Sequence, residues 1–502
     1  MADVTIRTAS GEERSLAQEE VERLAASLRG DLLSRESPGY DAARRIWNAM
    51  IDRRPGLIVR CRSSADVVRT VRFAREHGLL TAVRGGGHNI AGNATADGGL
   101  VIDLSLMKGV QVNPAQRTAR VEPGVTLGEF DHDAQTFALA TPLGINSTTG
   151  VAGLTLGGGY GWLTRKYGLT VDNLRSVEMV TADGALVTAS ESENSDLFWA
   201  VRGGGGNFGV VTSFEFTLHP VGPEVVAGLI VHPFANAAEV LRRYRDVVAA
   251  APEELTVWVV MRQAPPLPFL PPEVHGTPVV VLAGMYAGST ADAARALEPL
   301  RAIGGAHADV MGPTPYAGFQ TAFDPLLTPG LRNYWKTHNF QTLTDGLIDT
   351  LVAQTRTLPG PMCEIFLAHL GGAVSRRPDD ATAYLGRAAQ FVMNVHARWE
   401  DPAQDAMLTA WARGVYQATA PYATVGAYVN FLTQDEADRV RAAYGDNYER
   451  LAAIKAKYDP TNMFRVNQNI APSAAARGPE MPASRAAARV PTGEPTPPAP
   501  PA

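Results

Sequence analysis

The stretch Leu79-Leu80-Thr81-Ala82-Val83-Arg84-Gly85-Gly86-Gly87-His88-Asn89 decides how this chain of 502 residues is read. Leu79 to Val83 has the short apolar run of a buried strand, and the three glycines after Arg84 free the backbone to take positive φ and to approach a ligand closely. Upstream, Leu57 to Cys61 reads as a second strand, and the segment between the two reads as a helix. Ser63 and Asp66 form a capping pair there, Val67, Val68, Val71 and Ala74 give an apolar face, and Gly78 ends the helix. Downstream, His88, Asn89 and Gly92 lead to the strand candidate Leu100-Val101-Ile102-Asp103 with no helix in between. A Rossmann fingerprint needs a helix directly after its glycines, so that reading fails, and no GxxxxGK[ST] stretch supports a P-loop hydrolase.

Glycine dominates a second region, 144–209, with Gly150, Gly153, the run Gly157-Gly158-Gly159, Gly161, Gly168 and Gly203 to Gly206 before Asn207-Phe208-Gly209. Strand candidates separate these loops at Val177–Ala182, Ala185–Ala189 and Val210–Leu218, the last alternating strictly between two faces. Successive backbone N–H groups in such loops can converge on a phosphate, and several loops together suit a long anionic cofactor. Glycine turns that merely join strands are the competing reading. His88 by itself is equally a structural histidine or a metal ligand. The remaining histidines form no HExxH array, and Glu364 with His369 is the one compact His/acid pair near a glycine pair, so no metal is assigned.

The rest of the chain bounds the problem. Its length calls for two domains. Lys+Arg 45 against Asp+Glu 51 gives a formal net charge of −6, and no basic run carries interleaved aromatics, which argues against nucleic acid and anionic lipid and for a small-molecule substrate. Cys61 and Cys363 are the only cysteines and make neither a zinc framework nor a disulfide scaffold. The polar N-terminus has no apolar signal region and no stretch reaches membrane-spanning length, so a soluble, cytoplasmic protein is expected. Residues 1 to about 45 read as a polar leader with one amphipathic helix. After residue 219 strands at Thr256–Arg262 and Thr277–Tyr286 mix with helices near 290–302, 342–357, 378–390 and 402–418, and Ala264 to Pro272 reads as a surface loop. The Ala/Pro-rich segment 472–502 is too poor in apolar residues to fold.

Four ordered motifs, Arg84–Asn89, the 142–161 block PLGINSTTGVAGLTLGGGYG, Gly206-Asn207-Phe208-Gly209-Val210-Val211 and the 458–470 ending YDPTNMFRVNQNI, resemble the berberine-bridge-enzyme-like branch of the vanillyl-alcohol-oxidase flavoproteins. The resemblance covers most of residues 45–471. It implies an α+β fold, with a PCMH-type FAD-binding domain of two α/β subdomains and a substrate domain built as an antiparallel β-sheet backed by helices. The corresponding boundaries are 1–218 for the N-terminal part of the FAD domain, 219–426 for the substrate domain and 427–471 for the segment that completes the FAD domain.

By that resemblance His88 carries FAD covalently through the flavin 8α carbon. Arg84, Gly85, Gly86, Gly87, Asn89 and Gly92 surround the pyrophosphate; Leu143, Gly144, Thr148, Thr149, Gly150, Gly153, Leu154 and Gly157 follow the flavin and ribityl chain. Gly209 and Val211 lie at the adenine side, and Asn467 near the ring system. Many members add a thioether from a cysteine in GxCPxxG; Asn146 stands there, so a single link is expected. The tyrosine base of a YxNY motif is Phe431 in Tyr428-Val429-Asn430-Phe431, and a glutamate base used by some relatives aligns with Asn394, which does not titrate. Tyr160, Tyr428, Glu364 and His369 are the remaining acid/base or positioning candidates, each with an ordinary buried or surface role as its alternative. Trp258, Tyr286, Tyr334, Trp335, Trp399 and Trp411 are candidate pocket walls.

Three functional readings stand together. One is an oxidase that removes hydride from a C–H beside a hydroxyl or amine and passes the electrons to O2, giving H2O2; Thr149, isosteric with valine at the position that gates oxygen in the family, favours it. The others are a dehydrogenase with another acceptor and a metabolite-binding resistance or carrier flavoprotein. Sugars, secondary-metabolite alcohols and aromatic amines all remain as substrates, and the protein is expected to be a monomer or homodimer.

Overall fold

The computed structural model describes residues 3–424 and 426–474. The expected unfolded tail therefore lies, from residue 475 onward, outside the described residues. The opening strand, helix and strand form as their residues dictate. Helix Ser64–Glu76 starts at Ser63, whose side chain accepts the Asp66 N–H, and turns its Val67, Val71 and Ala74 inward. Strand Leu57–Arg60 pairs in parallel with Leu100–Asp103, which pairs in parallel with Thr81–Arg84. Parallel strands are buried on both faces, which explains their nearly unbroken apolar runs.

The leader differs from its expected form. Besides helix Gln18–Ser27 it contains a hairpin, Val4–Arg7 with Glu13–Leu16, the short helix Tyr40–Arg44 and strand Asp31–Ser34, which adds an antiparallel edge to the parallel sheet. Each of these strands is four residues long and fully buries only one position, too few to show alternation in the sequence.

A five-stranded antiparallel sheet follows, in the order Leu186–Ser190, Leu174–Val180, Val210–Thr217, Thr118–Val121, Val110–Asn113. Leu432, Val440, Leu451 and Ile470 of the C-terminal segment share one core with its Val177 and Phe214.

The third large element is an eight-stranded antiparallel sheet, in which Glu224–Pro233, Pro278–Tyr286, Leu255–Gln263, Glu364–His369, Phe391–Trp399 and Arg332–Phe340 are successive neighbours. Its strands alternate. Val257, Val259, Met261, Ile365, Leu367, Met393 and Val395 pack against helices Ala237–Ala249, Asp345–Thr355 and Asp405–Thr419. The intervening positions, among them Trp258, Arg262, Glu364, Phe366 and His396, occupy the opposite face, where they line cavities instead. The antiparallel sheet backed by helices is thus present, and the mixed helix and sheet class is as expected.

Two expectations fail in this region. Residues 378–390 form no helix: Asp379 accepts the backbone N–H groups of Gly386 and Arg387, and the buried Arg387 guanidinium reaches Asp172 at 2.8 and 3.0 Å, so polar anchors set the chain path. The 264–272 segment is irregular but not a plain surface loop, because Ala264 and Leu270 are buried against Val231 and Val279 of the sheet. Among the described residues no helix is long and apolar enough to cross a membrane.

Candidate active site

One extended cavity runs from the glycine loop after strand Thr81–Arg84, past residues 144–160 and 205–211, to the inner face of the large sheet and the C-terminal segment. Two glycine loops cross in its wall. A Cβ on Gly86 would lie 2.6 Å from Gly150 Cα, and one on Gly150 would lie 2.7 Å from Gly86 Cα, so only glycine at both places lets the backbones meet. Gly209, at φ +153, likewise passes so close to Met179 and Val180 that a Cβ would stand 2.7 Å from Met179 Cε. Gly150 is also the N-cap of helix Val151–Leu156, so an element of the glycine block that reads as loop is helical.

His88 emerges beside this crossing. Its ring stacks on Trp47 with centroids 5.1 Å apart, and its Nε2 lies 3.0 Å from Thr148 Oγ1. Thr148 Oγ1 donates to Asn146 Oδ1 at 2.7 Å, and Asn146 Oδ1 also accepts the Thr148 N–H at 3.1 Å. With its own proton committed to Asn146, the Thr148 hydroxyl accepts from His88, which puts the imidazole proton on Nε2 and leaves Nδ1 with its lone pair, 3.5 Å from Thr149 Oγ1. Burial lowers the His88 pKa to about 4, so the ring is neutral at neutral pH.

Of the cofactor candidates, Gly85, Gly86, Gly87, His88, Asn89, Gly144, Thr149, Gly150, Gly153, Leu154, Gly209, Val211 and Asn467 line the cavity. Thr148 acts from behind His88. Arg84 turns its guanidinium away, to the Ala43 carbonyl. Gly92, Leu143 and Gly157 lie outside the lining: Gly92 packs on Ile51, Leu143 is buried, and Gly157 sits against Asn430. The lining fits a long anionic cofactor. Glycine backbones converge along it and Gly206 faces open space, while the Asn467 side-chain carbonyl, buried with no partner among the described residues, offers an acceptor to an N–H or O–H of the cofactor.

The catalytic candidates separate. Tyr160 and Tyr428 face the cavity with ring centroids 4.8 Å apart, and Phe431 completes the group. Burial raises both phenols, Tyr428 to about 12 although Asn430 and the Gly159 N–H donate to it, so both stay protonated at neutral pH. Asn394 is fully buried in strand Phe391–Trp399 and is not part of the lining; neither of its side-chain amide atoms has a partner among the described residues.

Glu364 and His369 do not come together. They stand an odd number of positions apart on one strand and face opposite ways, His369 stacking on Phe391 and meeting Arg165 at 2.9 Å. Glu364 instead meets His396, which sequence reasoning missed: Oε1 lies 3.1 Å from His396 Nδ1. The available signal was the alternation Asn394, His396, Arg398 on one face of an apolar strand. Trp258 and Trp335 line the cavity, whereas Tyr286, Tyr334 and Trp399 belong to the core under the helices, with Trp411 packed on its edge.

Residues 55–190 match the family model described as FAD binding domain, and residues 427–471 match the one described as Berberine and berberine like. An uncharacterized FAD-linked oxidoreductase of Bacillus subtilis, YgaK, is 32% identical over 89% of this chain and 97% of its own length. The chain belongs to the berberine-bridge-enzyme-like FAD-linked oxidoreductases. Within that family, the (R)-6-hydroxynicotine oxidase of Paenarthrobacter nicotinovorans is also 32% identical, over 89% of this chain and 97% of its own. The crystal structure of the Arthrobacter nicotinovorans 6-hydroxy-D-nicotine oxidase superposes with a TM-score of 0.80 at 30% identity, covering 89% of this chain and 99% of that one. A chitooligosaccharide oxidase structure gives a TM-score of 0.80 at 25% identity, over 91% of this chain and 100% of the other. The chain is thus an enzyme of an FAD-linked family with an FAD binding domain over residues 55–190, and the crossed glycine loops around Gly86 and Gly150 lie within that matched stretch.

Proposed function

We propose that this enzyme is an oxidase carrying FAD on a single covalent bond to His88, and that it oxidises a small organic substrate at a C–H next to a hydroxyl or amine, with O2 as acceptor and H2O2 as product. The observation that carries the covalent reading is the state of His88: a buried, neutral imidazole, clamped by Trp47, with its Nε2–H given to Thr148 and its Nδ1 lone pair, met only by a long 3.5 Å contact from Thr149 Oγ1, left as the nucleophile. Asn146, where a second link would start, is occupied in fixing Thr148. Bound FAD would supply the acceptor for a hydride and return the electron pair to O2.

The chain's own groups do the rest. The glycine crossing and Asn467 would hold the cofactor, Trp258, Trp335, Phe366 and Phe431 would exclude water from the reacting carbon, and Tyr160 and Tyr428, both protonated, would donate rather than accept hydrogen bonds. Thr149 is small enough to leave oxygen a path. In this reading 1–218 and 427–471 form the FAD domain and 219–426 the substrate domain.

Acid-precipitated protein should retain yellow flavin, and His88→Ala should release it. A colourless precipitate from the unaltered protein would refute the covalent bond. Peroxide release during turnover in air separates an oxidase from a dehydrogenase.

A further inference from the structure

A second chamber opens beside the flavin cavity on the inner face of the large sheet, and the two share Ile145, Trp258, Leu327, Phe366 and His396. Its wall is mostly hydrocarbon: Val231, Val260, Leu267, Leu270, Val281 and Phe323. Leu267 and Leu270 come from the 264–272 segment, which is why that segment folds inward. The polar side chains in the wall are few. Arg262 and Glu364 bind each other at 2.9 Å, which leaves His396 and the unpartnered indole N–H groups of Trp162 and Trp258.

His396 is held on three sides. Trp335 stacks on it at 4.7 Å, the Phe366 ring stands edge-on at 4.9 Å, and Glu364 Oε1 receives its Nδ1–H at 3.1 Å. Glu364 is anchored in turn by Arg262 and by Arg398 at 3.4 Å. A carboxylate on Nδ1 puts the lone pair on Nε2. That atom is buried and has no partner among the described residues, on the wall common to both chambers. The other buried histidines with an unpartnered nitrogen among the described residues, His77, His232 and His369, line neither chamber, whereas His396 lines both.

We propose that His396, steered by Glu364, is the base that takes the hydroxyl proton of an apolar alcohol whose body occupies the second chamber. The inference rests on the flavin oxidase reading above. The substrate O–H bond breaks towards Nε2, the adjacent C–H pair leaves as hydride to the bound flavin, and C–O becomes C=O; O2 then reoxidises the flavin. A neutral amine loses hydride without a base, whereas an alcohol must give up this proton, so a built base selects the alcohol. A sugar would bury many hydroxyls against hydrocarbon, with one acceptor and two donors to meet them.

The charged groups facing His396 are Glu364 and Arg262 on neighbouring strands and Arg398 on its own. Burial lowers its pKa more than Glu364 raises it, so it is neutral at neutral pH. The rate of flavin bleaching should rise with pH through an ionisation below that of free histidine and then level off.

Two arms test this on the holoenzyme. Without turnover, quenching of tryptophan fluorescence should show 2-naphthol binding about tenfold more tightly than 2-methoxynaphthalene, and His396→Phe should remove the difference. Under anaerobic conditions cinnamyl alcohol should bleach the flavin, and His396→Gln should slow bleaching about 10²- to 10³-fold and abolish the acid limb. Equal binding of the two naphthalenes, or an unchanged rate and pH profile in His396→Gln, overturns the inference. Bleaching by cellobiose or pyrrolidine but by no apolar alcohol overturns it and leaves the flavin reading intact. Bleaching by none of the three overturns both. Photoreduced flavin that fails to regain colour in air sinks the oxidase reading alone.

Discussion

Replacing Lys455 by methionine tests how the C-terminal segment is anchored against the cavity. The Lys455 ammonium is fully buried and donates to Asp459 Oδ2 at 2.6 Å, to the Asn207 carbonyl at 2.6 Å and to the Phe464 carbonyl at 2.9 Å. Burial lowers its pKa only to about 8, since Asp459 opposes the shift, so it is charged at neutral pH. Methionine keeps the stem and deletes the charge. Asp459 would retain the Met463 and Phe464 N–H groups at 2.7 and 2.8 Å but lose its counter-ion, and two carbonyls would lose their donor.

Removing one partner of a buried ion pair costs about 3–5 kcal/mol, against a typical total stability of about 5–15 kcal/mol. Because Asn207 and Phe464 both line the cavity, the loss should appear first as a looser cofactor site. Urea unfolding followed by tryptophan fluorescence, with flavin fluorescence in parallel, should show the flavin signal changing at lower denaturant than in the unaltered protein. Lys455→Met with Asp459→Leu should recover part of the loss. A cost under about 1 kcal/mol, or a double variant that is merely additive, would refute the account.

Gly86→Ala should force the crossed loops apart, costing about 1–3 kcal/mol or more, and should yield protein poor in flavin by absorbance; a normally loaded variant would count against the crossing as a requirement. Thr148→Val removes the acceptor that sets the His88 tautomer, and the share of flavin kept in an acid precipitate should fall while total FAD binding persists. Asp131 is buried, and burial outweighs the Gln320 and Tyr316 hydrogen bonds to raise its pKa to about 7 from 3.8. The folded state therefore holds its proton more tightly, so this contribution is complete at low pH and is lost as pH rises between those values, at no more than about 1.4 kcal/mol per pH unit. Asp131→Asn should flatten that slope and melt above the unaltered protein at alkaline pH; an unchanged melting profile would contradict it.

What the sequence determined by itself was local chemistry. Glycines announce a backbone approach because no other residue permits it, so the loops around Gly86 and Gly150 were legible, as were the capped helix after Ser63 and the buried parallel strands beside it. The ordered motifs carried the family. Short strands in the leader were not legible, since four residues show no period. Nor was the loop at 378–390, whose path depends on Asp172 meeting Arg387 from 215 positions away.

The candidate base was hidden for the same reason. Glu364 pointed to His369 in the sequence because the two are near in the chain, but strand pleating sends them to opposite faces, and the histidine that meets the carboxylate comes from the next strand. Only tertiary structure decides which side chains share a face of a sheet: register is a long-range property, set by pairing such as Glu364 with His396 and not by neighbours along the chain.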